Sequence, residues 1–330
     1  MTEHKYKLLC IGNPLLDIQV TADGALLKKY DLKANDAILA EDKHKPMYEE
    51  LVNNYTPIYV AGGAAQNAAR GAQFLLPPKS TIYFGCVGDD KFAQEMRNAA
   101  SNEGLTIDYL VNKEFPTGTC GVIITDHNRS LVANLSAAEK YNESEHLDLP
   151  EKWGIVENTD YYYVGGFFLT VSPSSILKIA KHAAEKNKVF SMNLSAPFLS
   201  QVPPFKKSMN EIAPYWDMII GNETEAEAFA TSEGWETKDL KEIAKKMAQL
   251  PKVNKKRQRI VVITHGEKST IVAEQDGGIK EYPIINIDKK DIVDTNGAGD
   301  AFVGGFLSQY VQGKPIDECI SAGHCIEQII

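Results

Sequence analysis

The sequence predicts an α/β fold: a mainly parallel sheet with a small β-rich unit set against it. Three observations predict it. Short apolar runs recur along the 330 residues, helical patterns separate most of them, and two stretches break that rhythm. Strands alternating with helices of this length argue for βαβ units and parallel pairing. A length of 330 residues with 43% hydrophobic content easily supplies a core, as one large domain or two medium ones.

In chain order, the strand-like runs are "YKLLCIG" (6–12), "TIYFGCVG" (81–88), "YYYVGG" (161–166), "VFSMNLS" (189–195), "DMIIGN" (217–222) and "IVVITHG" (260–266). Helical patterns cover 64–76, 90–103, 173–187, 223–231 and 237–249. A last helix is expected over 300–312, where Phe302, Phe306 and Tyr310 recur every fourth residue. Residues 15–61 and 117–135 break the alternation. The first contains the strand-like "DIQVTA"; the second reads as a β-hairpin turning at 126–129, and together they predict a small β unit over the ligand end of the sheet. A second hairpin is expected over 269–285, around Asp276, Gly277 and Gly278.

Charge and composition exclude several classes. A net charge of −9 argues against a nucleic-acid binder, whose footprint is a basic surface. The one basic run, "KVNKKRQR" (252–259), reads as a solvated turn, with a nuclear import signal as the alternative. No window approaches the ~18 apolar residues of a membrane helix, and the N-terminus shows no secretory pattern. Five scattered cysteines without a CxxC pair fit reduced thiols better than disulfides or a zinc site. The expected setting is the cytoplasm.

The most informative stretch is "DTNGAGDAFVGGF" (294–306). Glycines ahead of a helix N-terminus leave free N–H groups and a positive dipole end, a natural seat for phosphate. Asn296, Gly297, Ala298 and Gly299 are thus candidates for an oxyanion loop. Asp300, in the first turn, could accept the proton of an attacking hydroxyl, although a helix N-terminus should lower its pKa. Strand ends "GNP", "GNETE" and "THG" put polar residues where parallel sheets bind ligands. Asn222 and Glu225 form a capping pair on paper. No Walker loop, complete dinucleotide fingerprint, protein-kinase signature or HExxH is present.

Together with "AGGAAQNAAR" (61–70) and "FGCVGDDKFA" (84–93), that loop resembles the ribokinase-like carbohydrate and nucleoside kinases over nearly the whole chain. "GNPLLD", "ILAEDKH", "NRSLVANL", "GFFLTVSP", "NLSAPF" and "GNETEA" are similar to the adenosine-phosphorylating branch. The resemblance implies a three-layer α/β/α sandwich, with a large α/β domain over about 1–14, 62–116 and 136–330 and a small β-rich lid over about 15–61 and 117–135. It implies transfer of the γ-phosphoryl group of ATP to the adenosine 5′-hydroxyl, with Mg2+ and a further role for K+. The absence of an obvious exposed apolar stripe points to a monomer, and charge and hydropathy point to no nucleic-acid or membrane partner. Asp300 becomes the base, and Arg129 reaches the phosphates when the lid closes. Asn13, Asp17, Gly62, Gly63 and Asn67 become ribose contacts, and Leu16, Leu39, Cys120, Leu131, Ala133 and Phe167 wall the purine. ATP contacts fall on Asn222, Thr264 and Gly266, with Glu225 acting on the metal through water. The alternatives are a ribokinase- or fructokinase-type sugar kinase and a weakly active nucleoside-binding protein. The last arises because members of that branch continue past "AGH" with a helix and a basic tail, whereas this sequence stops at "CIEQII".

Overall fold

The computed structural model describes residues 6–34, 37–125, 128–284 and 297–328. Its main sheet has nine strands. Strands β1 (Leu8–Ile11), β5 (Thr81–Gly88), β6 (Thr106–Asn112), β9 (Tyr161–Val164), β10 (Val189–Asn193), β11 (Met218–Asn222) and β12 (Ile260–His265) run parallel. Two antiparallel strands, β13 (Lys268–Glu274) and β14 (Ile279–Tyr282), extend one edge, giving the order β14-β13-β12-β11-β10-β9-β1-β5-β6. β5 is buried at all eight positions, as expected of an interior parallel strand covered on both faces.

Strand alternation sorts the core into two layers. Leu9, Ile11, Ile82 and Phe84 face helices α6 (Pro173–Glu185), α9 (Glu223–Ser232) and α10 (Leu240–Ala248). Leu8, Cys10, Tyr83 and Val87 face α3 (Ala64–Phe74), α4 (Lys91–Asn102), α11 (Ala298–Tyr310) and α12 (Ile316–Glu327). The result is the expected three-layer sandwich. The spacing in sequence gave its strands to within a few residues; it did not give β6, whose "TIDYLVN" carries only one fully buried residue.

The second sheet has the order β3-β8-β7-β2-β4, built from β2 (Leu15–Thr21), β3 (Ala37–Leu39), β4 (Ile58–Gly62), β7 (Thr119–Thr125) and β8 (Asn128–Asn134). One face is closed by α1 (Gly24–Lys29) and α2 (Lys45–Asn54), with Ile18, Val20, Leu26, Leu27, Met47, Leu51, Ile123 and Val132 between. The opposite face looks onto the strand ends of the main sheet. Neither helix nor β3 and β4 was legible, because "LLKKYDLKANDAIL" has no clean period. Residues 126 and 127 of the expected hairpin turn lie outside the described residues.

Helix α11 is buried on nearly every side, from Ala301 to Ser308. That needs small residues where helices cross. A Cβ on Gly304 would sit 2.8 Å from the Ala68 carbonyl of α3, and one on Gly305 would collide with the Ala322 carbonyl of α12. Both obstacles are backbone and cannot rotate away. Gly305→Ala should therefore lower stability by about 1–3 kcal/mol, the usual range for overpacking. Urea unfolding should show a lower midpoint with an unchanged slope. A parental midpoint would mean that α11 and α12 separate freely.

Candidate active site

Two chain crossings define the site. Between β1 and β2 the chain passes from one sheet to the other through Gly12, Asn13 and Pro14; between β4 and α3 it returns through Gly63. Gly63 has φ +95°, a conformation that side chains avoid, and a Cβ there would strike the Asn13 carbonyl. A Cβ on Gly62 would lie 2.5 Å from Asp17 Oδ1. Gly63 is thus required for the crossings to touch, and Gly62 leaves room for the Asp17 carboxylate.

Cross-strand register then gathers residues far apart in sequence. Asp17 is opposite Cys120, Cys120 opposite Ala133, and Ala133 opposite Leu39, a row across four strands on one face. Leu131 and Arg129 follow on the same face at two-residue steps along β8, and Gly62 shares it on β4. Leu39 is an apolar side chain left 59% exposed. Arg129 stands in β8 opposite Ile124 rather than at the hairpin tip.

Leu16 is a correction. Side chains alternate across a strand, so Leu16 faces away from Asp17, is almost fully buried and belongs to the core with Ala61 and Ala65. Its neighbour Leu15 lies on the Asp17 face instead. Alternation in "LLDIQV", anchored on Asp17, would have found it.

From the main sheet, Asn13 Nδ2 donates to the Phe167 carbonyl at 3.4 Å, while its buried Oδ1 has no partner. Phe167, on the turn Gly166–Thr170 after β9, is partly exposed with its ring near Phe198. Asn67, in the first turn of α3, donates from Nδ2 to Asp300 Oδ2 at 3.1 Å. Gly297 caps α11 in the left-handed conformation at φ +79°, followed by Ala298 and Gly299, so Asp300 lies in the first turn as expected. Asn296 is outside the described residues.

Farther along the strand ends, Asn222 caps α9. Its Oδ1 accepts from the Glu225 N–H at 2.9 Å, while Glu225 accepts from the Asn222 N–H and Nδ2, both at 3.0 Å. The capping box is real, and Glu225 still lies within electrostatic range of Asp300. Thr264 is opposite Asn222, and Gly266 turns β12 into β13 at φ +51°. Among the described residues no group of three or more His, Cys, Asp or Glu side chains could hold a metal alone.

Three carboxylates here are held well above their ordinary range. Burial pushes Asp17 up to about 7, against the pull of Arg70 and Arg129. Burial pushes Asp300 up to about 7, opposed by the Asn67 hydrogen bond and reinforced by the charges of Asp17 and Glu225. Burial likewise raises Glu225 to about 7, against the Asn222 N–H. The sequence led us to expect a lowered Asp300, because a helix N-terminus favours the anion. Desolvation and two like charges outweigh that dipole.

The chain belongs to the pfkB family of carbohydrate kinases, whose model matches residues 25–327. Among its relatives, adenosine kinase 1 of Arabidopsis thaliana is 52% identical, over 96% of this chain and 91% of that one. The adenosine kinase of Schizophyllum commune is 48% identical over 98% and 94%. A crystal structure of Anopheles gambiae adenosine kinase in complex with P1,P4-di(adenosine-5) tetraphosphate superposes with a TM-score of 0.92 at 44% identity, covering 98% of this chain and 95% of that one.

An unfolded aspartate ionises near its ordinary 3.8, whereas folded Asp300 keeps its proton to about 7. The folded chain binds more protons across that window, so this group's contribution to stability is present at low pH and lost as pH rises to 7. Asp300→Asn should accordingly raise the melting temperature at pH 8 and change it little at pH 4. Scanning calorimetry at both values checks this, and an equal shift at both would mean the carboxylate is not strained.

Proposed function

We infer that this chain transfers the γ-phosphoryl group of ATP to the 5′-hydroxyl of adenosine, giving AMP and ADP. The carrying observation is that Asp300, hydrogen-bonded to Asn67 at the start of α11, lies within electrostatic range of Asp17 on the small sheet. Adenosine fits between the sheets. Asp17 accepts from the ribose hydroxyls, and the unpartnered Asn13 Oδ1 accepts another. Cys120, Leu131, Ala133 and Leu39 wall the purine from one side with Leu15 beside them, and Phe167 closes the other.

That pose presents the 5′-hydroxyl to Asp300. A base with a pKa near 7 keeps proton affinity while remaining substantially ionised at neutral pH. The loose transition state of phosphoryl transfer needs charge stabilisation more than covalent chemistry. N–H groups at the start of α11, from Gly297 to Gly299, supply it, and Arg129 adds a cation as the small sheet closes. ATP lies along the strand ends at Asn222, Thr264 and Gly266.

Mg2+ fits this arrangement. Glu225 and Asp300 are neighbouring carboxylates raised by burial, and an ion that keeps most of its waters and binds phosphates needs no protein cage. Glu225 would hold it through water, where it would neutralise charge on the phosphates.

Asp300→Asn should cut turnover by about 10²–10⁴-fold, the usual loss of a general base, while calorimetry still detects adenosine binding. Retention of more than a tenth of parental turnover would reduce Asp300 to a cap. Asp17→Ala should weaken adenosine binding about 10–100-fold, for a lost charged hydrogen bond of ~1.5–3 kcal/mol. ATP binding should barely change; equal losses for both would make Asp17 structural. Phosphate transfer from labelled ATP to adenosine, ribose and fructose tests the reading as a whole, and preference for a free sugar would overturn it.

A further inference from the structure

Asp17 faces two cations, and one of them is bound on both sides. Arg70 lies one turn beyond Asn67 on α3, in "GGAAQNAAR". Its Nε and Nη2 donate to the two oxygens of Glu103, at 2.5 and 2.6 Å, in a forked pair at the end of α4. Its remaining Nη1 donates to the carbonyl of Ala61 at 2.5 Å. Ala61 is the residue of β4 just before Gly62, whose backbone packs on Asp17. The neighbouring Gly62 carbonyl accepts from Gln66 Nε2 at 3.0 Å, and Tyr109 donates to the Oε1 of the same glutamine. Helix α3 therefore grips the last turnless residues of β4 with two side chains, and only one of them is charged.

We propose that Arg70 is a positioning residue for the nucleoside: held by Glu103, it fastens the end of β4, and with it the backbone beside Asp17, to the body of the protein. The proposal rests on the adenosine reading above. The titratable and charged groups around Asp17 come from four elements. Arg70 of α3 and Arg129 of β8 favour its ionised form; Asp300 of α11 and Cys120 of β7 are held toward their protonated forms by burial and by the Asp17 charge, so Cys120 is a neutral thiol. Arg129 sits on the same small sheet as Asp17, whereas Arg70 belongs to the body. Arginine suits the task because its planar fork can hold Glu103 and Ala61 at once; a lysine offers a point charge without the fork.

The test measures adenosine binding by calorimetry from pH 5 to 9 in an Asp300→Asn background, which removes the second titrating carboxylate. If that parent binds no adenosine, the functional reading fails rather than this inference. Arg70→Met in that background should weaken adenosine at least tenfold at pH 7. It should also move the acid limb of binding upward by about one pH unit, the size of a lost opposite charge. Arg70→Lys should restore the limb but only part of the affinity, and Glu103→Gln, which frees the fork but leaves the cation, should weaken adenosine without moving the limb upward. In the otherwise native enzyme, Arg70→Lys should raise KM for adenosine while leaving KM for ATP and kcat within about threefold. An unmoved limb in Arg70→Met, or parallel losses for adenosine and ATP in Arg70→Lys, overturns the proposal. Should Arg70→Met fail to fold, Arg70→Lys decides it by the KM comparison.

Discussion

Three carboxylates share one cleft, and the rest of the molecule is arranged around keeping them there. Asp17, Asp300 and Glu225 are each raised to about 7 by burial. Removing a carboxylate from water costs free energy unless partners replace the lost solvent. Each of the three has a dedicated partner: Arg70 and Arg129 act on Asp17, Asn67 on Asp300 and Asn222 on Glu225. Two of the three also stand in the first turn of a helix, α11 or α9, where the dipole favours an anion. The supports reduce the cost without cancelling it. A site held in that condition gains from any ligand that brings hydroxyl donors to one carboxylate and a cation to another.

The same cleft explains why the two sheets meet where they do. β1 pairs with β5 on one side and β9 on the other, so the strand order reverses at β1 and a crevice opens beyond its carboxyl end. The chain leaves β1 through Gly12, Asn13 and Pro14 directly into the second sheet. It returns through Gly62 and Gly63, whose lack of side chains lets the return pass against the exit. The groups proposed to face the nucleoside, from both sheets, are thereby fixed by one junction. A side chain at Gly63 would part the crossings and move Asn13 and Asp17 together.

How much of this the sequence disclosed depended on whether a residue's role is local. The parallel strands were legible because a fully buried strand is a continuous apolar run, as in "TIYFGCVG". The Asp300 loop was legible because glycines before a helix have a local meaning. The face of Leu16 was misjudged, since adjacency in "PLLD" says nothing of the alternation that puts Leu15, not Leu16, beside Asp17. Arg70 was passed over because its partners, Ala61 and Glu103, are joined to it only by packing. The direction of the Asp300 shift was likewise hidden: the dipole is written in the local sequence, while burial and the charges of Asp17 and Glu225 come from the fold.

Burial and the neighbouring charges set how well Asp300 could serve as a base. A dipole alone would make Asp300 a strong acid and a poor acceptor. Burial restores its proton affinity, and the Asn67 hydrogen bond keeps it from rising further. The balance is therefore adjustable from outside the helix. Asp17 and Glu225 both raise Asp300, so whatever satisfies them changes the base as well. On the proposed pose, ribose hydroxyls donating to Asp17 would spread its charge, and positive charge near Glu225 would offset that carboxylate; both would lower the affinity of Asp300 for its proton. Binding of the two substrates in that pose would thus shift Asp300 toward its ionised, proton-accepting form when the 5′-hydroxyl is beside it, and leave it more protonated in the empty cleft.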